Sequence, residues 1–445
     1  MAVLGVAGQA EGVQVEVGNF YFLFMYHQTK LNNGIKFLTI PMKGTEAVTI
    51  LALFPVGSRY ETKDINGLSH FIEHMMFKGT LLRPTTMDIS KELDKVGAEY
   101  NAYTSRDYTG YYIKVSRKHV DLAMDLLSDM LRNSQFNAEE LEKEKGVIVE
   151  ELNMYKDNPT MYSEQLFEET LYANHPLGRD VGGQEETVRN TTREKMLKYY
   201  HNFYEPQNMI LALAGKIDDV MIKKIKKYFG QKGNTIKKQA FKKFATSSIK
   251  GMAIKVFYKK TDQAHLVLGF PALPYDDSQI PALNILNIIL GGTMSSRLFV
   301  EVREKRGLAY MIHSGINRYQ DTGNLFVRAG LDKNRLKEAL DIIIRELNKI
   351  AKDGVTAEEL KMAQDNLAGR LVLGLEDSSE QAEWYAKQAL LTKQVRTPEE
   401  EMKRYRQVKI ADVKRVAQTI IKMKKMCLAV IGPFVDETEI KRLLK

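Results

Sequence analysis

The sequence has little cysteine and little tryptophan, with one residue of each among 445. A lone thiol, Cys427, cannot close an internal disulfide or build a multi-thiolate metal site, which excludes the stapled-scaffold class. Any metal must then be held by carboxylates and by the eight histidines. Long apolar runs are also missing. No window approaches the ~18 to 20 apolar residues of a membrane helix, so no membrane span is expected. The apolar cluster Phe20 to Tyr26 has no Lys or Arg ahead of it and no small-residue cleavage site, so it does not read as a secretory signal. Residues 1–29 read as an N-terminal extension, and the expectation is a soluble chain, cytoplasmic rather than secreted. Glycine loops that cradle phosphate are absent too, since Gly291-Gly292-Thr293 lacks the lysine of a P-loop.

What is present is a chain with 44% hydrophobic residues, enough to bury a sizeable core in roughly two to four domains. The net charge of +9 is unevenly spread. Residues 1–200 carry 22 basic and 28 acidic residues, residues 201–260 carry 14 and 3, and residues 261–445 carry 29 and 25. A lysine-rich stretch without a nucleic-acid motif reads as a solvated helix face and linker, so no nucleic-acid partner is expected.

Self-comparison shows a duplication. Phe54-Pro55 and Phe270-Pro271 each close a strand-like run, 216 residues apart. Gly79-Thr80 returns as Gly292-Thr293, and Ala138-Glu139-Glu140-Leu141 returns as Ala357-Glu358-Glu359-Leu360 after an amphipathic helix. Met209-x-Leu211-Ala212-x-x-Gly215 returns as Met426-x-Leu428-Ala429-x-x-Gly432. Four matches in order at nearly constant spacing predict two related domains, at residues 30–230 and 251–445, joined by a basic linker at 231–250. Adjacent hairpin strands, Glu99 to Thr104 and Tyr108 to Val115, beside long helices predict an α+β fold. Each domain is expected to be a largely antiparallel sheet packed against helices.

The chemistry concentrates in His70-Phe71-Ile72-Glu73-His74, inside a helix-like segment whose apolar face is Leu68, Phe71, Ile72 and Met75. Positions four apart share a helix face, so His70 and His74 can grip one ion, with Glu73 on the neighbouring edge. Two imidazoles and a nearby carboxylate are the parts of a catalytic zinc centre, where the carboxylate can take a proton from water. At this composition the pattern arises by chance in roughly 2% of chains, so it is a specific signal. A third ligand must come from another element. The helix from Ala138 to Tyr155 offers Glu144 and Glu151, seven apart on one face, but spacing alone leaves solvent-facing charges equally open.

At these residues the sequence resembles the inverzincins, in which H-x-x-E-H reverses the usual order. The likeness is to the family of mitochondrial processing peptidase, insulin-degrading enzyme and pitrilysin, and specifically to its short two-domain bacterial members. It covers about residue 31 to the end and includes Asn66-Gly67-Leu68-Ser69 and Phe77-Lys78-Gly79-Thr80. The family pattern places a glutamate 70 positions after the second histidine and another seven further on, where Glu144 and Glu151 stand. The resemblance implies a zinc metalloendopeptidase with His70, His74 and Glu151 as metal ligands, Glu73 as general base and Glu144 as an orienting acid. It further implies that Asn101 and Ala102 lie on an edge strand to which a peptide substrate adds as an extra strand. Arg303 and Tyr310 match a second-half pair that holds substrate and helps stabilise the oxyanion.

Applying the duplication puts Leu283, Leu286 and Asn287 opposite the motif and Arg370 opposite Glu151, so only the first half is expected to hold zinc. Family members of this length work as two chains around a closed chamber, which implies a homodimer acting on peptides or unfolded segments. The alternative is a non-catalytic or heteromeric-partner subunit of a similar assembly. The acidic first 200 residues would favour basic or neutral peptides.

Overall fold

The computed structural model describes residues 26–233 and 240–444. The first half builds a six-stranded sheet from β1 (His27–Lys30), β2 (Lys36–Pro41), β3 (Ala47–Phe54), β4 (Glu99–Thr104), β5 (Thr109–Ser116) and β6 (Ile210–Gly215), in the order β1-β2-β6-β3-β5-β4. The second half builds β7 (Ala253–Tyr258), β8 (Gln263–Ala272), β9 (Ala309–Arg318), β10 (Gly323–Asp332) and β11 (Cys427–Gly432), in the order β7-β11-β8-β10-β9. Without β1 the two orders coincide strand for strand. Each sheet has one parallel pair, β2 with β6 and β7 with β11, and is otherwise antiparallel. The duplication read from short matches is therefore a duplication of topology.

β1 pairs His27 through Lys30 with Thr39 through Lys36, so the first sheet begins inside the segment that the sequence assigned to an extension. Residues 1–25 lie outside the described residues. In the basic stretch, Phe241 packs under the Arg59 guanidinium at 3.8 Å, and the Phe244 ring meets Tyr172 and His175. No helix among the described residues is long and apolar enough to cross a membrane.

Central strands read as continuous hydrophobic runs because both faces of each sheet are covered. Along β3, Ile50, Ala52 and Phe54 face one core while Leu51 and Leu53 face another. The first core lies against α1 (Leu68–Met76), α2 (Thr86–Asp94), α3 (Val120–Asn133) and α4 (Ala138–Asp157), all from the same half. The opposite face of that sheet is covered by the helix Ser378–Leu391, which contributes Ala382, Tyr385, Ala386 and Ala389 from the second half. Reciprocally, α5 (Pro159–Leu171), with Leu166, Phe167 and Leu171, covers Cys427, Ala429 and Ile431 of the second sheet. The two halves thus exchange equivalent helices. A buried ion pair network adds to the contact, with Arg59 bridging Asp107 of the first half and Asp321 of the second at 2.8 Å each.

Candidate active site

The motif lies on α1, nine residues whose apolar face, Leu68, Phe71, Ile72, Met75 and Met76, is buried. The helix begins at Gly67, whose φ of +96° and close approach to the Gly182 carbonyl leave no room for a Cβ. Glycine has no capping side chain, and the buried Glu61 supplies one from outside the helix. Its carboxylate accepts from the backbone N–H groups of Gly67 and Ser69 at 2.7 Å each, and from Asn66 Nδ2 at 3.1 Å. This satisfies donors that a helix start leaves orphaned and fixes the direction of α1.

α4 runs beside α1, started by the Asn137 side chain, which accepts from the N–H groups of Glu139 and Glu140. Its buried positions are Leu141, Glu144, Ile148, Val149 and Leu152, whereas Val147 is half exposed. Two turns apart, Glu144 and Glu151 both reach α1. His74 Nδ1 donates to Glu144 Oε1 at 2.8 Å, and Lys78 Nζ pairs with the other Glu144 oxygen at 2.5 Å. This bond keeps a proton on His74 Nδ1 and turns Nε2 toward the other two side chains. That Nε2 lies 3.2 Å from His70 Nε2 and 3.4 Å from Glu151 Oε2, with His70 Nε2 to Glu151 Oε2 at 3.6 Å.

These three ligand atoms all lie within 4.8 Å of one another and could hold a metal ion. A tetrahedral ion binding nitrogen and oxygen at ~2.0–2.2 Å would separate its ligand atoms by about 3.3–3.6 Å, close to the three spacings found. Two histidines and a glutamate are also a donor set suited to zinc, so the residues fit the group. Burial, and then the neighbouring His74, push the His70 imidazole below its ordinary pKa and keep it neutral, the form that ligates. Burial alone would lower His74 as well, but its hydrogen bonds to Glu144 and Glu151 prevail and hold it up.

Glu73 points to the neighbouring edge, where Thr104 Oγ1 at the end of β4 donates to its Oε2 at 2.5 Å. Burial raises the Glu73 pKa, and the hydrogen bond from Thr104 only partly offsets it. Asn101 and Ala102 lie on β4, the edge strand of the first sheet, and Asn101 Oδ1 accepts from the Ala102 N–H at 2.9 Å. Arg303 sits in the wide helical turn Phe299–Glu304 and stacks on Phe299 and Tyr310. Tyr310 is 80% exposed, and neither residue touches the histidine cluster among the described contacts. Opposite the motif in the second half, Leu283 and Leu286 are buried apolar residues, and Arg370 donates to the Gly292 carbonyl at 2.9 Å.

Sequence reasoning missed Glu61, Lys78 and Thr104. Glu61 and Lys78 flank the motif closely enough to be candidates, whereas Thr104 belongs to a different strand and carries no local signal.

A two-sheet architecture with one H-x-x-E-H helix defines a class of metallopeptidase-like proteins, and comparison with known proteins names it. Residues 36–185 match the family model described as insulinase, peptidase family M16, and residues 190–367 match the one described as the peptidase M16 inactive domain. The chain is 36% identical over 403 residues to the uncharacterized zinc protease YmxG of Bacillus subtilis, covering 90% of this chain and 97% of that one. An uncharacterized zinc protease of Streptomyces coelicolor is 35% identical over 416 residues, covering 92% and 90%. Among solved structures, a protease from Helicobacter pylori superposes with a TM-score of 0.87 at 26% identity, covering 92% of this chain and all of that one. A peptidase M16 inactive domain from Pseudomonas fluorescens shares the fold, with a TM-score of 0.81 at 20% identity and coverage of 92% and 98%. The chain belongs to peptidase family M16.

Proposed function

We propose that the protein is a zinc-dependent endopeptidase that hydrolyses peptides or unfolded segments. The observation that carries this reading is the convergence of His70, His74 and Glu151 beside a carboxylate, Glu73, whose pKa burial has raised. His70, His74 and Glu151 would hold a zinc ion, which when bound would supply Lewis acidity toward the scissile carbonyl and lower the pKa of a neighbouring water. Glu73 takes the proton from that water and passes it to the leaving amine. Its raised pKa suits both halves of the transfer. The Thr104 hydroxyl orients the Glu73 carboxylate, and Glu144 orients His74. A peptide laid along the free edge of β4 at Asn101 and Ala102 brings its backbone past Glu73, and main-chain pairing accepts many sequences.

Arg303 and Tyr310 complete the site from a second copy of the chain in a homodimer. The pair's exposure and its lack of contact with the cluster in its own chain support this arrangement. Glu73→Gln should abolish turnover while zinc, measured by elemental analysis, stays bound. Full activity in the zinc-loaded variant would sink the assignment of Glu73. Mixing Glu73→Gln with Arg303→Ala protein under subunit exchange should restore part of the activity. No recovery despite demonstrated exchange would place the pair's action within one chain.

A further inference from the structure

Beside the histidine cluster a cleft of about 650 Å³ runs between the two halves. His70, Glu151, Thr104 and Tyr108 line it from the first half, and Tyr275 and Arg318 from the second. Its other charged groups are already engaged. Glu168 pairs with Arg106 at 2.5 Å, Glu164 pairs with Arg328, and Asp107 pairs with Arg59 at 2.8 Å. Asp180 accepts from the Gly182 N–H at 2.9 Å and from the Gln165 amide.

Arg318 differs from all of these. It ends β9 with its guanidinium carbon 4.8 Å from the centre of the Tyr275 ring, and its side chain has no hydrogen bond or ion pair among the described contacts. Tyr275 is itself pinned by its N–H, which donates to the Tyr319 carbonyl at 2.8 Å. Stacking on a fixed ring holds a guanidinium plane in place and leaves its edge donors free, a geometry that fits a carboxylate bidentately. Arg318 thus puts an uncommitted cation at one place on the cleft wall, whatever the net charge of the half that forms the rest of it. The acidic balance of residues 1–200 predicted the opposite preference, but in this cleft Asp107, Glu164 and Glu168 are each paired with an arginine, Asp180 is held by the Gly182 N–H and the Gln165 amide, and distant charges are screened within about 10 Å.

We infer that Arg318, stacked on Tyr275, forms a substrate subsite for a carboxylate, so that peptides with an acidic group next to the scissile bond are preferred. The inference rests on the proposed peptidase reading and names the substrate class for that same site. The carboxylate belongs either to an Asp or Glu side chain or to the peptide's own C-terminus. Both present the same group to the guanidinium.

The test uses the full-length protein loaded with zinc and a peptide series in which Glu, Gln or Lys is moved one position at a time, each with a free or amidated C-terminus. At one position kcat/KM for Glu should exceed that for Gln by about tenfold, and Lys should be worse than either. If amidation removes the preference, the subsite reads the chain end; if it does not, the subsite reads the side chain. Arg318→Lys should retain part of the Glu-to-Gln ratio, and Arg318→Glu should reverse it toward Lys. Equal rates for Glu and Gln in the unaltered protein, or a preference for Lys, overturns the inference without any variant. Binding of the same peptides to Glu73→Gln protein reads the subsite without turnover. Equal affinities there overturn the inference, whereas a Glu preference there together with no hydrolysis by the unaltered zinc-loaded protein upholds it and overturns the peptidase reading.

Discussion

Three side chains around the cluster are each held by a second one. His74 is oriented by Glu144, Glu144 is anchored by Lys78, and Glu73 is oriented by Thr104. Burial works to raise the Glu144 pKa, but the hydrogen bonds from His74 and Lys78 prevail and keep it ionised. Glu144→Gln should therefore weaken zinc binding by about 10–100-fold in competition with a chelator, with little change in the thermal unfolding midpoint of the metal-free protein. Unchanged zinc affinity would show that Glu144 does not act through His74. At this scale the sequence was legible where spacing is local. His70 and His74 could be paired from the i, i+4 rule alone, whereas Glu144 and Glu151 needed the family pattern, because a helix face does not say what it faces. Thr104 and Arg318 were not legible as partners of Glu73 and Tyr275, since those contacts join strands and loops far apart in the chain.

Among the elements, the helices and strands that the sequence singled out were legible in place, though not always to their ends. α1 and α4 fall where the apolar periodicity placed them, and β3 ends at Phe54 as read, whereas β8 starts earlier, at Gln263, and continues through Phe270-Pro271 to Ala272. What periodicity could not give was the partner of each helix. The helix Ser378–Leu391 has apolar residues at helical spacing, and nothing in that spacing says that it covers the sheet of the other half. Its N-terminus is fixed by Asp377, which accepts from the Ser379 N–H at 2.7 Å and pairs with Lys114 of β5 at 2.6 Å. Burial works to raise the Asp377 pKa, but Lys114 and Ser379 outweigh it and bring it down to about 2. A folded-state pKa below the unfolded value means that the contribution is complete above about pH 4 and is lost as pH falls from ~4 to ~2. The unfolding midpoint of Asp377→Asn should thus lie below that of the unaltered protein at pH 6 and converge with it near pH 2. A constant gap across that window would exclude an ionised Asp377 as the cause.

For the whole molecule, the exchange of helices decides how a peptide can reach the cleft. In a two-lobed enzyme the simplest entry is a hinge that swings the lobes apart. Here that motion would lift α5 from β11 and the helix Ser378–Leu391 from β3 and β6, baring an apolar sheet face on each side and breaking the Arg59 bridge. Uncovering buried side chains costs about 25 cal/mol per Å² of apolar surface, which opposes such a swing. Thr49 Oγ1 on β3 and Ser378 Oγ at the helix start lie 2.8 Å apart, and the natural Cys427 is buried elsewhere. A disulfide between Thr49→Cys and Ser378→Cys should leave turnover unchanged on oxidation, and activity that vanishes on oxidation and returns on reduction would reveal a hinge. The described chain holds together as one jaw, so in the proposed homodimer the way in for substrates is the seam between two such jaws.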